Sequence, residues 1–393
     1  MNGFRSRHGS DCLRVVVLGY IVRGPIGGMA WHHLQYVLGL KQLGHEVLFL
    51  EDSDDYPSCY DPSTHVVGVD PTYGLRFAEQ AFTRLDLAGC WAYYDAHHKR
   101  WHGPASPQVD TFCKAADVVL NVSGINPIRP WLERIPLRVL IDTDPVFTQI
   151  RHLTDPSARD RAAQHQAFFS FGELIGTSGS AIPDDGLDWQ ATRQPIVLNA
   201  WPASDGPLHG PFTTVMQWDS YPATEFDGQR FGMKSESFNL VRALPSRVKL
   251  PLEIALGGTS VPRRELERLG WQLADPLLVT RDPWSYQDYL RQSRGELSVA
   301  KQGYVVSRSG WFSERTACYL AMGRPAVVQE TGFSRYLPCG EGLWAFETAD
   351  SAINAIREID ANYRAQCRAA RELATEYFDS RKVLTSLLER AFS

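Results

Sequence analysis

The chain has 393 residues, 44% hydrophobic and 22% charged, the composition of a soluble globular protein long enough for two or three domains. A net charge of −5 and a pI near 6.1 argue against nucleic acid and anionic membranes as partners. The seven cysteines include no Cys-x-x-Cys pair, which argues against a disulfide framework or structural zinc and for a cytoplasmic location. No apolar run approaches the roughly 20 residues of a membrane span.

Residues 1–12 are polar and basic, without the apolar segment of a secretory signal, and read as a disordered leader. Residues 13–19 (Leu-Arg-Val-Val-Val-Leu-Gly) predict a buried parallel strand. A loop carrying Gly24, Pro25, Gly27 and Gly28 follows, then a helix over 29–43 closed by Gly44 and a strand over 45–50 ending in Glu51, Asp52, Asp54 and Asp55. This is a βαβ half of a doubly wound sheet. The glycines do not make Gly-x-Gly-x-x-Gly, so a nicotinamide site is disfavoured. A Gly27-Gly28 turn instead admits a bound group close to the backbone.

His32 and His33 lie in the first turn of that helix. A helix N-terminus disfavours the imidazolium, which suits a general base; a packed histidine pair fits the same positions. The segment 57–107 is rich in Tyr, Trp and His, fitting ring stacking over a cleft or ordinary packing. Its histidines lack Cys or Glu at ligand spacing, and no metal site is expected. Strands are predicted over 116–122 and 138–141, the second ending in Asp142-Thr143-Asp144-Pro145. Asp-x-Asp at a strand's carboxyl end suits a divalent ion on a diphosphate, or a turn and helix cap.

Residues 201–211 have the Pro and Gly density of an interdomain linker. A second α/β pattern follows: strands over 212–217, 252–256 and 297–300, and helices over 235–244, 263–269 and 286–291. Ser309-Gly310-Trp311-Phe312-Ser313-Glu314 then leads into a helix stopped by Gly323 and Pro325, and Ala326-Val327-Val328 makes a strand. A Gly-containing loop before a helix leaves N–H groups free for an anion, phosphate above all. Residues 353–392 read as helical throughout.

Two of these stretches resemble the GT-B class of nucleotide-sugar glycosyltransferases. Gly27-Gly28-Met29 and Leu43-Gly44-His45-Glu46-Val47 are similar to the N-lobe opening of that class, where the Gly-Gly loop faces the donor diphosphate. Gly310-Trp311-Phe312-Ser313-Glu314 and Ala321-Met322-Gly323-Arg324-Pro325 are similar to its C-lobe donor motif. A bacterial subgroup carries the same Trp31-His32-His33 and Trp311-Phe312-Ser313 runs. Cys318 stands where the class has its ribose-binding Glu and Gly310 where it has an earlier Glu; Glu314, one turn before Cys318, is on the same face.

The resemblance implies an α/β fold of two Rossmann-like lobes with a cleft between them and a C-terminal helical return. The expected division is an acceptor lobe over 13–200, a linker over 201–211, a donor lobe over 212–375 and a terminal helix over 376–393. The expected activity is metal-independent transfer of a sugar from a nucleotide-diphospho sugar to a small-molecule or lipid-like acceptor, without a further cofactor. A sugar-nucleotide epimerase or a non-catalytic two-lobed sugar-binding protein are the alternatives. Donor binding falls to Gly27, Gly28, Lys301, Arg308, Ser309, Gly310, Trp311, Phe312, Ser313, Glu314, Thr331, Gly332 and Phe333. Candidate bases are His32, His33, Asp142 and Asp144.

Overall fold

The computed structural model describes residues 12–393; most of the leader expected at 1–12 lies outside them. The first half of the chain supplies β1 (Arg14–Leu18), β2 (Glu46–Asp52), β3 (Cys59–Asp61), β4 (Val66–Gly68), β5 (Trp91–Asp95), β6 (Arg100–His102), β7 (Val118–Val122), β8 (Leu137–Asp142), β9 (Ala167–Ser170) and β10 (Trp189–Ala191). Their sheet has the order β10-β9-β8-β7-β1-β2-β5-β6. All neighbours are parallel except the edge pair β5 and β6. β1 and β7 are buried along most of their length because helices cover both faces, which is why they read as unbroken Val/Leu runs. β3 and β4 form a separate antiparallel hairpin.

The second half supplies β11 (Phe212–Gln217), β12 (Thr224–Phe226), β13 (Gln229–Phe231), β14 (Leu252–Gly257), β15 (Gln272–Ala274), β16 (Gly295–Ser298), β17 (Ala326–Gln329) and β18 (Leu343–Phe346). Its sheet, β15-β14-β11-β16-β17-β18, is wholly parallel, with β12 and β13 a hairpin outside it. Both sheets wind outward in both directions from their first strand, so each has a switch point: between β1 and β7, and between β11 and β16. Crevices for ligands open at the carboxyl ends of the strands there.

The first helix, Gly27–Gln42, joins the two halves. Its Trp31 donates to the Pro283 carbonyl at 2.8 Å and packs on Trp201 in a tilted pair, ring centroids 5.0 Å apart. Gly39 is covered by Ser380 and Leu384 of the last helix, Ser380–Ala391. The chain after 353 is not one helix. Three helices, Ala349–Ala361, Tyr363–Tyr377 and Ser380–Ala391, are broken at Asn362 and at Asp379, whose carboxylate caps the last one by accepting from the Arg381 amide at 3.0 Å. The helix expected over 235–244 stops at Phe238, leaving Lys234–Phe238. The strand expected over 297–300 is Gly295–Ser298, which places Lys301 in the loop beyond its carboxyl end. No described helix is long and apolar enough to cross a membrane.

Candidate functional site

The two switch points meet around Asp144. β8 ends at Asp142, whose carboxylate is buried and accepts from the Thr148 and Ser170 hydroxyls at 2.7 Å, the Asp144 amide at 2.8 Å and the Gln149 amide at 3.2 Å. Burial pushes its pKa up while these four donors oppose the rise. Fully engaged in shaping its own loop, Asp142 cannot reach a substrate proton, which corrects its assignment as a base. The turn it builds projects Asp144 across the cleft. Asp144 accepts from the Lys301 ammonium at 2.8 Å and from the hydroxyls of Tyr221 and Tyr304. Lys301 lies 4.3 Å from the Tyr221 ring centroid and 5.0 Å from that of Phe147. Trp311 stacks on Tyr304 at 4.4 Å and donates to the Thr143 carbonyl at 3.3 Å. Lys301, expected on a phosphate, is thus balanced by an aspartate of the other lobe.

A second lysine at this cleft, Lys234, makes no direct ion pair among the described residues. It opens the short helix after β13 and is half-buried. Burial, with Arg315 and Lys301 close by, lowers its pKa well below the ordinary lysine value against the opposing fields of Glu296 and Asp144. Among the described residues its ammonium has no hydrogen bond or ion pair. Arg315, in contrast, is locked by Glu296 and the Ser298 hydroxyl, each at 2.6 Å, and by the Val215 carbonyl at 2.7 Å. Two backbone bonds, Gly303 amide to Gly232 carbonyl at 3.0 Å and Gln302 amide to Met233 carbonyl at 3.3 Å, fix the Lys234 turn to the Lys301 loop. Lys234 is not among the residues expected at the site from the sequence. Its only signal is Gly232-Met233-Lys234-Ser235 at a helix start, too short to show periodicity.

The remaining expected residues lie in several different surroundings. Gly27 and Gly28 pack against Asp282 and Tyr286 of the second lobe. A Cβ on Gly27 would lie 2.3 Å from the Asp282 carbonyl oxygen, and one on Gly28 3.2 Å from the Tyr286 ring; the Gly27 amide donates to the Thr280 carbonyl at 2.7 Å. These glycines let the first helix close on the second lobe, which corrects their donor role. Ser309 to Phe312 is also a packed segment. The Gly310 amide donates to Thr331 at 2.8 Å and the Trp311 amide to the Ser309 hydroxyl at 3.2 Å. Gly310, at φ +72°, presses on the Glu173–Leu174 backbone of the first lobe. Thr331 donates back to the Trp311 carbonyl at 2.6 Å, Gly332 abuts the Arg308 carbonyl, and Phe333 packs on Phe312. The amides of Gly310 and Trp311 are therefore taken, and Thr331, Gly332 and Phe333 brace this loop rather than border a sugar. The amides from Ser313 into the first turn of Glu314–Ala321 remain for an anion.

Glu314 is half-buried, and burial pushes its pKa up to about 7. It accepts the Cys318 thiol at 3.0 Å. The Gln35 side chain of the first helix, which also touches Cys318 at 3.7 Å and accepts the Val197 amide at 2.7 Å, helps hold it. Its partners lie on the contact between lobes. Arg308, in a left-handed turn at φ +46°, is exposed. His33 is fully buried against Gly19, Tyr20 and Phe49, with neither ring nitrogen bonded. Burial, His32 and Arg23 keep it neutral, but enclosure denies it a substrate and removes it from the candidate bases. His32 is half-buried beside Phe171, and burial lowers its pKa to about 4.

No family model and no curated protein matches the chain. Solved structures do. An alpha-glucosyltransferase in complex with UDP and mismatched DNA superposes with a TM-score of 0.58 at 11% identity, over 96% of this chain and 99% of that one. Anabaena HepE in complex with UDP-glucose gives 0.56 at 12%, and sucrose-phosphate synthase from Thermosynechococcus elongatus 0.52 at 13%, each over 96% of this chain and 99% of the other. The fold is GT-B. The GT-B likeness also corrects one expectation. The alpha-glucosyltransferase of this fold is held on DNA in several structures, so a net charge of −5 does not exclude a nucleic-acid partner.

Proposed function

We propose that the chain transfers a sugar from a nucleoside-diphosphate sugar to a small-molecule or lipid-like acceptor. The observation that carries this is Lys234, a half-buried lysine with no hydrogen bond or ion pair among the described residues, set among Arg315, Lys301, Glu296 and Asp144. It lies beyond the carboxyl end of β11, at the switch point of the second sheet. Burial disfavours the charged form of this amine, and an arriving anion favours it. The diphosphate of a donor supplies one, and an alpha-glucosyltransferase and HepE, both of similar fold, are held with UDP and UDP-glucose.

In this reading Lys234 contacts the phosphates and stabilises the nucleotide as it leaves, as an electrostatic clamp does. Arg308, exposed on the adjoining turn, closes over them. The amides at the start of Glu314–Ala321 face the same charge. Lys301 neutralises Asp144 and so keeps that carboxylate from repelling the donor. With protein cations in this role the reaction needs no divalent metal. The seven free cysteines favour a reducing cytoplasm.

Calorimetric titration with UDP, GDP, ADP, CDP and dTDP tests the proposal. One of them binds, EDTA leaves binding unchanged, and Lys234→Ala weakens it about tenfold or more with melting temperature unchanged or raised. Absence of binding by all five, or equal binding by the variant, overturns it.

A further inference from the structure

We propose that Leu174 of the first lobe is a positioning residue for Arg308 of the second. After β9 the chain reads Phe-Gly-Glu-Leu-Ile-Gly-Thr-Ser-Gly-Ser-Ala from 171 to 181, in which Gly and Ser recur too often for a helix or a strand. The segment forms a strap tied to its own lobe at both ends. The Phe171 amide donates to the Asp142 carbonyl at 2.9 Å. Just past the strap the buried Asp185 carboxylate meets the His152 ring at 2.7 Å and accepts the Trp189 indole N–H at 2.9 Å. Between these ties the strap crosses to the second lobe.

Its contacts there bracket Arg308. The Leu174 amide donates to the Ser309 carbonyl at 3.1 Å, and the Ala181 amide and Ser180 hydroxyl donate to the Ser307 carbonyl at 2.7 and 3.1 Å. Ser307 and Ser309 are buried, while Arg308 between them is exposed. Arg308 sits at φ +46°, a left-handed conformation that a residue with a Cβ disfavours. The Leu174 side chain is buried in a slot walled by Gly310 and Gly332, at φ +72° and +103°. A Cβ on Gly332 would lie 2.5 Å from Leu174 Cδ1, and one on Gly310 2.9 Å from the Leu174 amide nitrogen. Glycine at both positions is what lets the strap reach the carbonyls on either side of Arg308.

A left-handed turn at a non-glycine residue persists only where its surroundings hold it, and here the other lobe supplies the hold. Among the described residues the Arg308 guanidinium makes no hydrogen bond or ion pair. Its backbone is fixed and its side chain is free, an arrangement that lowers the ordering cost of gripping an anion. Because the strap belongs to the first lobe and Arg308 to the second, the cation is set in place only while the lobes are together. The role of Arg308 on phosphate rests on the transferase reading; the hold of the strap on the turn does not.

The test is a double-mutant cycle read by calorimetric titration with UDP, GDP, ADP, CDP and dTDP, alongside amide hydrogen exchange of the ligand-free protein. Arg308→Ala weakens the nucleotide that binds about tenfold, Leu174→Ala weakens it about threefold or more, and the two together lose no more than Arg308→Ala alone. Leu174→Met, which refills the slot, binds as the wild type. Ser180→Ala removes one bond to Ser307 without opening the core; it weakens binding in the same direction and carries the cycle if Leu174→Ala does not fold. In the free variants the Ala181 amide exchanges about tenfold faster or more, while β9 exchanges as in the wild type. Additive losses, wild-type affinity in Arg308→Ala or in both folded strap variants, or unchanged exchange at Ala181 overturns the proposal. If no nucleoside diphosphate binds, the transferase reading falls, and exchange alone decides whether the strap holds the turn.

Discussion

The two lobes treat charge in opposite ways. At the strand ends of the first, each carboxylate is met. Glu51 has three amides, Asp52 has Arg129, and Asp142 has four donors. At the strand ends of the second, Arg315 is locked by Glu296, whose Oε2 stays buried without a partner, and Lys234 lies in the field of Glu296 and Asp144 without a direct ion pair. Closed networks of buried charge hold backbone in place and are costly to break. An open charge stores a demand that only a ligand meets. The first lobe's acidic edge is closed by its own donors, and the second lobe's edge around Lys234 is where the proposed donor would be held.

The largest expected effect breaks the closed side. Glu51→Ala strips the partner from three buried amides and leaves Arg23, whose guanidinium lies 3.6 Å from that carboxylate, as an unpaired buried cation. A loss of about 3 kcal/mol of stability is expected in urea denaturation. Affinity of the folded protein for a nucleoside diphosphate stays as in the wild type. If instead stability holds and affinity falls, the contrast between the lobes is wrong, and Glu51 belongs to the ligand site.

Glu314 sharpens the contrast, since it lies where the lobes touch. Its folded pKa, about 7, is above its ordinary 4.5. The folded chain therefore holds the proton more tightly than the unfolded chain, and the stability this confers is full below pH 4.5 and lost as pH rises through 7. Glu314→Gln mimics the protonated form. It is expected to melt higher than the wild type at pH 8, by roughly 1–2 °C, with the gap closing near pH 5. A gap that is the same at both pH values shows that the carboxylate is already ionised and engaged, as ribose binding at Glu314 requires.

What the sequence made legible follows from periodicity. β1, the first helix, β11 and the Glu314–Ala321 helix were read within a few residues because buried parallel strands and packed helices carry long apolar patterns. The two-lobed fold came with them. The site was read less well because its contacts are long-range. Asp142 and Asp144 look equivalent in sequence, yet one is walled in by Ser170 and Thr148 while the other crosses to Lys301. Gly27-Gly28 and Ser309-Gly310 carry the small-residue signature of a phosphate loop, but close approach of backbone to backbone needs the same residues. Here the second lobe, through Asp282 and Tyr286, and the Glu173–Leu174 backbone fill the space. Lys234 left no pattern, being one residue whose meaning is the absence of a partner.

The smallest expected effect separates those two meanings of glycine. Alanine at Gly28 meets only the edge of the Tyr286 ring at 3.2 Å, a side chain able to give by a few tenths of an ångström. Alanine also improves helix propensity by up to about 1 kcal/mol, so Gly28→Ala is expected within about 0.5 kcal/mol of the wild type. Gly27→Ala drives its Cβ against the Asp282 carbonyl, which is backbone and also begins the helix Pro283–Gln292; it is expected to lose about 2 kcal/mol. Neither change reaches Lys234, so both variants are expected to bind a nucleoside diphosphate as the wild type does once folded. Weakened binding in the stable Gly28→Ala would return that loop to the donor and make the first lobe a partner in holding phosphate.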